Sequence, residues 1–126
     1  MEDIKIIDNS LDDREFRNYV CYILPKLGFD NIKIEDERIA DNDKENDNDI
    51  IAKKDNISYT ILTYLNREIG KKEIDEVVKD IIKEQVTGGV IVSNLEVEEK
   101  IKAEAKKENI EIIDRKDLIK AINKTT

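Results

Sequence analysis

Apolar positions along the chain recur with two periods, and each period predicts a kind of element. From Phe16 through Tyr19, Val20, Ile23, Leu24 and Leu27 the spacing is i, i+3, i+4, i+7, i+8, the single buried stripe of a helix. Ser10 followed by Asp13 predicts its start: a hydroxyl accepts from a first-turn N–H, and an acid suits the positive end of the helix dipole. Pro25 lacks an N–H and ends the regular helix near that point, and Gly28 closes it in a left-handed cap. The alternation over 29–35, with Ile32 and Ile34 on one face, predicts a strand.

The stretch 46–65, NDNDIIAKKDNISYTILTYL, reads as two short strands, 49–52 and 57–65, joined by a tight turn at 54–56. A helix is predicted over 71–86, with Ile74, Val77, Val78, Ile81 and Ile82 as its stripe and Gly88-Gly89 as its stop. GVIVS at 89–93 is continuously apolar, the sign of a strand covered on both faces. Asn94 is placed to cap a helix over 95–108, with Val97, Ile101 and Ala105 inward. A strand at 110–113 follows, and Asp114 caps a last helix carrying Leu118, Ile119 and Ile122. Ile4, Ile6 and Ile7 suit an edge strand or a packed N-terminal segment. The expected order is α-β-β-β-α-β-α-β-α, an α/β fold with a central mixed sheet flanked by helices. From residue 57 onward, right-handed crossovers make the neighbouring strands parallel.

Composition supports one such unit. The 126 residues suit a single domain spanning 1–126, with no internal repeat. With 39% hydrophobic residues, no Trp and only two Phe and four Tyr, the core must be built from Ile, Val and Leu. Charge is unevenly placed: residues 1–64 hold 16 acids against 9 bases, residues 65–126 hold 14 against 13, and the whole chain carries −8. Like charges over 36–48 repel and leave little to bury, which predicts a mobile acidic loop. The acidic balance argues against a broad nucleic-acid footprint, which needs clustered Lys and Arg.

Candidate chemistry is narrowed mainly by what is missing. There is no His, so the commonest general base and transition-metal ligand is absent. Cys21 is the only cysteine, which excludes an internal disulfide and a Cys-based zinc site, and its place on the first helix predicts a packed thiol. With no signal-peptide pattern and no long apolar run, the expectation is a cytoplasmic protein without a membrane partner. Asp41, Asp43, Glu45, Asp47 and Asp49 have the spacing of a calcium loop, yet the mid-loop Gly is missing and Ala52 stands at the twelfth position. Lys100, Lys102, Lys106 and Lys107 alternate with glutamates and predict a solvated face.

Four phrases carry a resemblance: EFRNYVCYILPKLGF, NDIIA, TGGVIVSN and ENIEIIDRKDLIKAI. Together with the element order they resemble the Mrr-type restriction endonuclease domains of the PD-(D/E)xK nuclease superfamily, over roughly residues 12–122. The resemblance implies a DNA-cleaving site in which an Asp at the start of one strand and a Glu, Asp or Gln on the next hold Mg²⁺. A Lys two residues further on helps position and activate the attacking water. The spacing of two keeps both groups on one side of the sheet. On this pattern Asp49 takes the first position, Leu62 the second and Tyr64 the third. The glutamate that such domains often carry after a first-helix Phe is here Arg17, following Phe16.

Leu62 has no oxygen for a hard cation, and Tyr64 has no positive charge near neutral pH. The expectation is therefore a nuclease fold without its chemistry, needing no cofactor and acting as a binding or regulatory module in nucleic-acid-related or defence processes. One alternative is an active Mg²⁺-dependent endonuclease using displaced residues. Asp49 would be its metal ligand, Glu68 or Glu73 the substitute carboxylate, and Lys71 or Lys72, with Arg67 nearby, the substitute cation. The other is an acidic inhibitor or immunity-type partner, motivated by the charge of the first half. Partners are then a protein or a nucleic acid, with room for a homodimer.

Overall fold

In the computed structural model, residues 12–36 and 48–123 are described, with only the backbone considered at Glu35, Asp36, Asn48 and Asp49. The first helix, α1 (Asp13–Ile23), runs into a 3-10 turn, Leu24–Leu27. Strands β1 (Asp30–Asp36), β2 (Asn48–Lys54) and β3 (Ile57–Tyr64) follow. Then come α2 (Lys71–Glu84), β4 (Gly88–Ser93), α3 (Glu99–Lys107), β5 (Ile110–Ile113) and α4 (Arg115–Asn123).

The five strands form one sheet in sequence order, β1-β2-β3-β4-β5. The first three are antiparallel and the last three parallel, the mixed sheet expected. The β2–β3 hairpin turns on Asp55 and Asn56, both at positive φ (56° and 67°), the mirror-image turn whose twist matches that of paired strands.

Two apolar layers sandwich the sheet. On one face Phe16, Val20, Ile23 and Leu24 meet Ile50, Ala52, Ile61, Val90, Val92 and Ile113, joined by Leu118 and Ala121 of α4. On the other face α2 and α3 cover Tyr64, Ile91, Ile110 and Ile112 with Ile74, Val77 and Ala105. All six residues of β4 are buried, the consequence of cover on both sides.

Several local expectations change. Asp12, not Ser10, caps α1: its carboxylate accepts from the Glu15 N–H at 2.8 Å while Glu15 accepts from the Asp12 N–H at 3.0 Å. Ser10, the Ile4–Ile7 segment and most of the acidic loop at 36–48 lie outside the described residues, and so does most of the calcium-like run. Helix α2 ends at Gln85, in left-handed conformation (φ 57°), before the glycines are reached. Gly88 and Gly89 belong to β4 instead, where a Cβ on Gly89 would collide with Val77 Cγ1. Ile82 is 72% exposed, because α2 covers the sheet through Ile74 and Val77 with Ile81 alongside. Asn94 caps no helix: α3 begins four residues later than predicted, at Glu99.

Candidate functional site

Side chains alternate along β3, so Tyr59 and Ile61 go to the α1 layer while Thr60, Leu62 and Tyr64 go to the α2 layer. Leu62 is half-buried against the α2 cluster. Tyr64, at 5% exposure, donates its phenol proton to Glu76 Oε1 at 2.7 Å. One turn further along α2, Asp80 Oδ2 accepts from the Thr60 hydroxyl at 2.6 Å. Two hydroxyls of the strand are thus matched by two carboxylates four residues apart on the helix, the spacing that puts both on one helical face.

Burial pushes the Tyr64 phenol far above the usual tyrosine range, and the hydrogen bond to Glu76 adds to the effect. The group stays neutral at physiological pH. The Arg67 guanidinium lies 5.0 Å from the centre of the Tyr64 ring, and its Nη2 is 3.6 Å from Glu73 Oε2. Glu73, 7% exposed, accepts the Gly70 N–H on its other oxygen at 2.8 Å, which caps the start of α2. Around Tyr64, Glu76 is thus engaged by the phenol, and Glu73 by Arg67 and the Gly70 N–H.

The other candidates lie at the entrance to α2, on β2 and on α1. Glu68, Lys71 and Lys72 are all exposed at the entrance to α2. Asp49 lies on β2, its backbone paired with Glu35 of β1, and its side chain falls outside the described residues. Arg17 is half-buried on α1, close enough to Cys21 for its charge to act on the thiol. Among the described residues, no three acids or sulfur ligands converge as an ion would require. Burial raises the Cys21 thiol above its ordinary value despite the opposing charge of Arg17.

A second polar cluster closes the far side of the parallel strands. Asp114, 1% exposed, accepts from the Val97 N–H at 3.0 Å and the Asp117 N–H at 3.3 Å, and pairs with Lys102 Nζ at 3.2 Å. Lys102 also reaches Asp117 at 3.4 Å, so it departs from the solvated face predicted for these lysines. Between β3 and β4, Asn94 accepts from the Asn66 N–H at 2.7 Å and returns a bond to the Asn66 side chain at 3.0 Å. Glu76, Asp80, Asn66 and Asp114 as a buried acceptor are the residues that sequence reasoning missed. The available signal was two strand hydroxyls, Thr60 and Tyr64, facing a helix with acids beside its apolar stripe.

A family model described as a restriction endonuclease matches residues 8–122. Among solved structures, the DNA modification-dependent restriction endonuclease AspBHI matches with a TM-score of 0.67 at 15% identity. That match covers 96% of this chain and 34% of the other, so the chain spans about a third of the relative's length. No curated protein matches the chain.

Proposed function

Because the chain belongs to the Mrr-type restriction endonuclease family, we propose that it is a non-hydrolytic member of it, a nuclease-fold domain that binds or regulates rather than cuts. One observation carries the reading. Where the family resemblance calls for a carboxylate and a lysine two residues apart on β3, Leu62 packs into the α2 cluster and Tyr64 spends its hydroxyl on Glu76.

The chemistry follows from those two side chains. A divalent ion of the Mg²⁺ type wants several oxygen ligands, and Leu62 supplies none. An attacking water needs a nearby cation or base, and a neutral phenol already donating to a carboxylate is neither. Glu73 offers its oxygens to Gly70 and Arg67. The residues described around β3 thus do not fit a two-carboxylate metal centre. In this reading the domain recognises a partner in a nucleic-acid-related process, as a fold kept for its shape.

Titration calorimetry with Mg²⁺ and Mn²⁺ tests the reading. The expected result is no heat of specific binding below millimolar metal. Saturable binding at lower concentration, lost in Asp49→Ala, would instead favour hydrolysis through displaced residues.

A further inference from the structure

Helix α1 buries Phe16, Val20 and Ile23 against the sheet, and its opposite side meets water. On that side Arg14, Asn18 and Tyr22, all exposed, follow at intervals of four, the spacing that sets them in one line about 6 Å apart. Lys26, in the 3-10 turn, continues the line: its Nζ lies 5.1 Å from the centre of the Tyr22 ring. Tyr22 is 61% exposed, and its ring stacks beside that of Tyr19 with centroids 6.0 Å apart. The ring is thus held by two neighbours and still open to water.

The line contains no acid. Over residues 14–27, three bases (Arg14, Arg17, Lys26) stand against one acid (Glu15), a net of +2 in a chain of −8. Glu15 and Asp12 are turned onto each other's N–H groups at the cap. Arg14, Arg17 and Lys26 make no ion pair with a described residue, and Arg17 Nε is buried without an acceptor. A local excess of positive charge therefore surrounds an accessible aromatic face.

We propose that this line binds a single-stranded nucleic acid: a base stacks on Tyr22, and backbone phosphates meet Lys26 on one side and Arg14 on the other, with the Asn18 amide between them. The inference rests on the reading of a domain that binds rather than cuts, and gives its partner a chemistry. The surface belongs to the layer opposite Leu62 and Tyr64, which pack toward α2, so it is not the position that the family resemblance assigns. Stacking on a side chain needs an unpaired base, which a duplex keeps inside, so single strands are favoured. An acidic peptide would meet the cations and leave the ring unmatched, whereas a nucleotide chain matches both.

Fluorescence anisotropy with the full chain tests this, in EDTA so that no metal-dependent step intervenes. The probes are labelled oligothymidylate and oligouridylate of about 20 nucleotides, longer than a typical single-strand site, and a duplex of equal length. Saturable binding of either strand at low salt, tighter than that of the duplex, is expected, and the better strand shows whether DNA or RNA is the source. Tyr22→Ala is expected to weaken strand binding about tenfold with the same salt dependence. Lys26→Gln is expected to flatten the slope of log K against log salt by about 0.7, the loss of one phosphate contact. Unchanged thermal melting in both variants shows that the fold is not what responds. No saturable binding of either strand overturns the proposal and leaves the non-hydrolytic reading standing. Binding indifferent to both variants, or equal for duplex and strand, overturns it as well. Strands that shorten once Mg²⁺ replaces EDTA would instead contradict the non-hydrolytic reading, and the binding measured in EDTA would still locate the strand on α1.

Discussion

At the scale of single residues, the informative ones are polar groups whose partners lie far along the chain. Tyr64 and Glu76 are twelve positions apart, and their bond exists only because β3 and α2 pack together. Tyr64→Phe removes the hydroxyl and leaves the half-buried Glu76 with water as its partner. The expected loss is about 1 kcal/mol in urea unfolding, with the slope of the transition unchanged. Neighbouring glutamates and lysines predict a solvated row for Lys102, yet it bridges Asp114 and Asp117. Spacing reveals which face of a helix a residue occupies but not that a later strand end delivers a buried carboxylate to it.

The same cluster sets a pH dependence. Burial alone would raise Asp114, but the Val97 and Asp117 N–H groups and Lys102 outweigh it and hold the carboxyl below its ordinary value of 3.8. Its contribution is therefore present above the usual carboxylate range and is lost as pH falls through that range. Lys102 is raised above 10.5: burial opposes its charge, and the hydrogen bond and charge of Asp114, with the charge of Asp117, prevail. That contribution is present at neutral pH and is lost as pH climbs past 10.5. In melting curves across pH, Asp114→Asn is expected to be less stable than wild type by about 1–3 kcal/mol at pH 7. It is also expected to show a shallower acid limb. A parallel pair of pH profiles would refute the role assigned to Asp114.

At the scale of elements, periodicity was a sound guide to what forms and a poor one to where it ends. All nine predicted elements occur, and the strands of the second half pair in parallel, as their strand–helix–strand order predicts. The boundaries drifted where a backbone conformation did the work of a residue type. Helix α2 stops at Gln85, which adopts the left-handed state that glycine usually fills, so the stop does not come from the two glycines. Their task is contact. Gly89→Ala would press a methyl into Val77 Cγ1 at the α2–β4 packing, and a cost of about 1–3 kcal/mol in denaturant unfolding is expected. The β2–β3 turn allows a milder test. Asn56→Ala forces a Cβ-bearing residue without a local hydrogen-bonding side chain to φ 67°, and should cost about 1–2 kcal/mol.

For the whole molecule, topology and family were legible because they rest on the order of elements and on phrases spread over most of the chain. The site was legible in part. The sequence marks Leu62 and Tyr64 as departures from the pattern, but only packing reveals that both are committed to α2 rather than left facing a cleft. On the function proposed above, this commitment removes metal-dependent hydrolysis while the scaffold persists. The most direct measurement is a cleavage assay: purified chain at micromolar concentration, supercoiled plasmid and single-stranded DNA as substrates, with Mg²⁺ or Mn²⁺, and Asp49→Ala alongside. The account predicts no nicking or linearisation above the Asp49→Ala background. Metal-dependent cleavage that disappears in Asp49→Ala would contradict it.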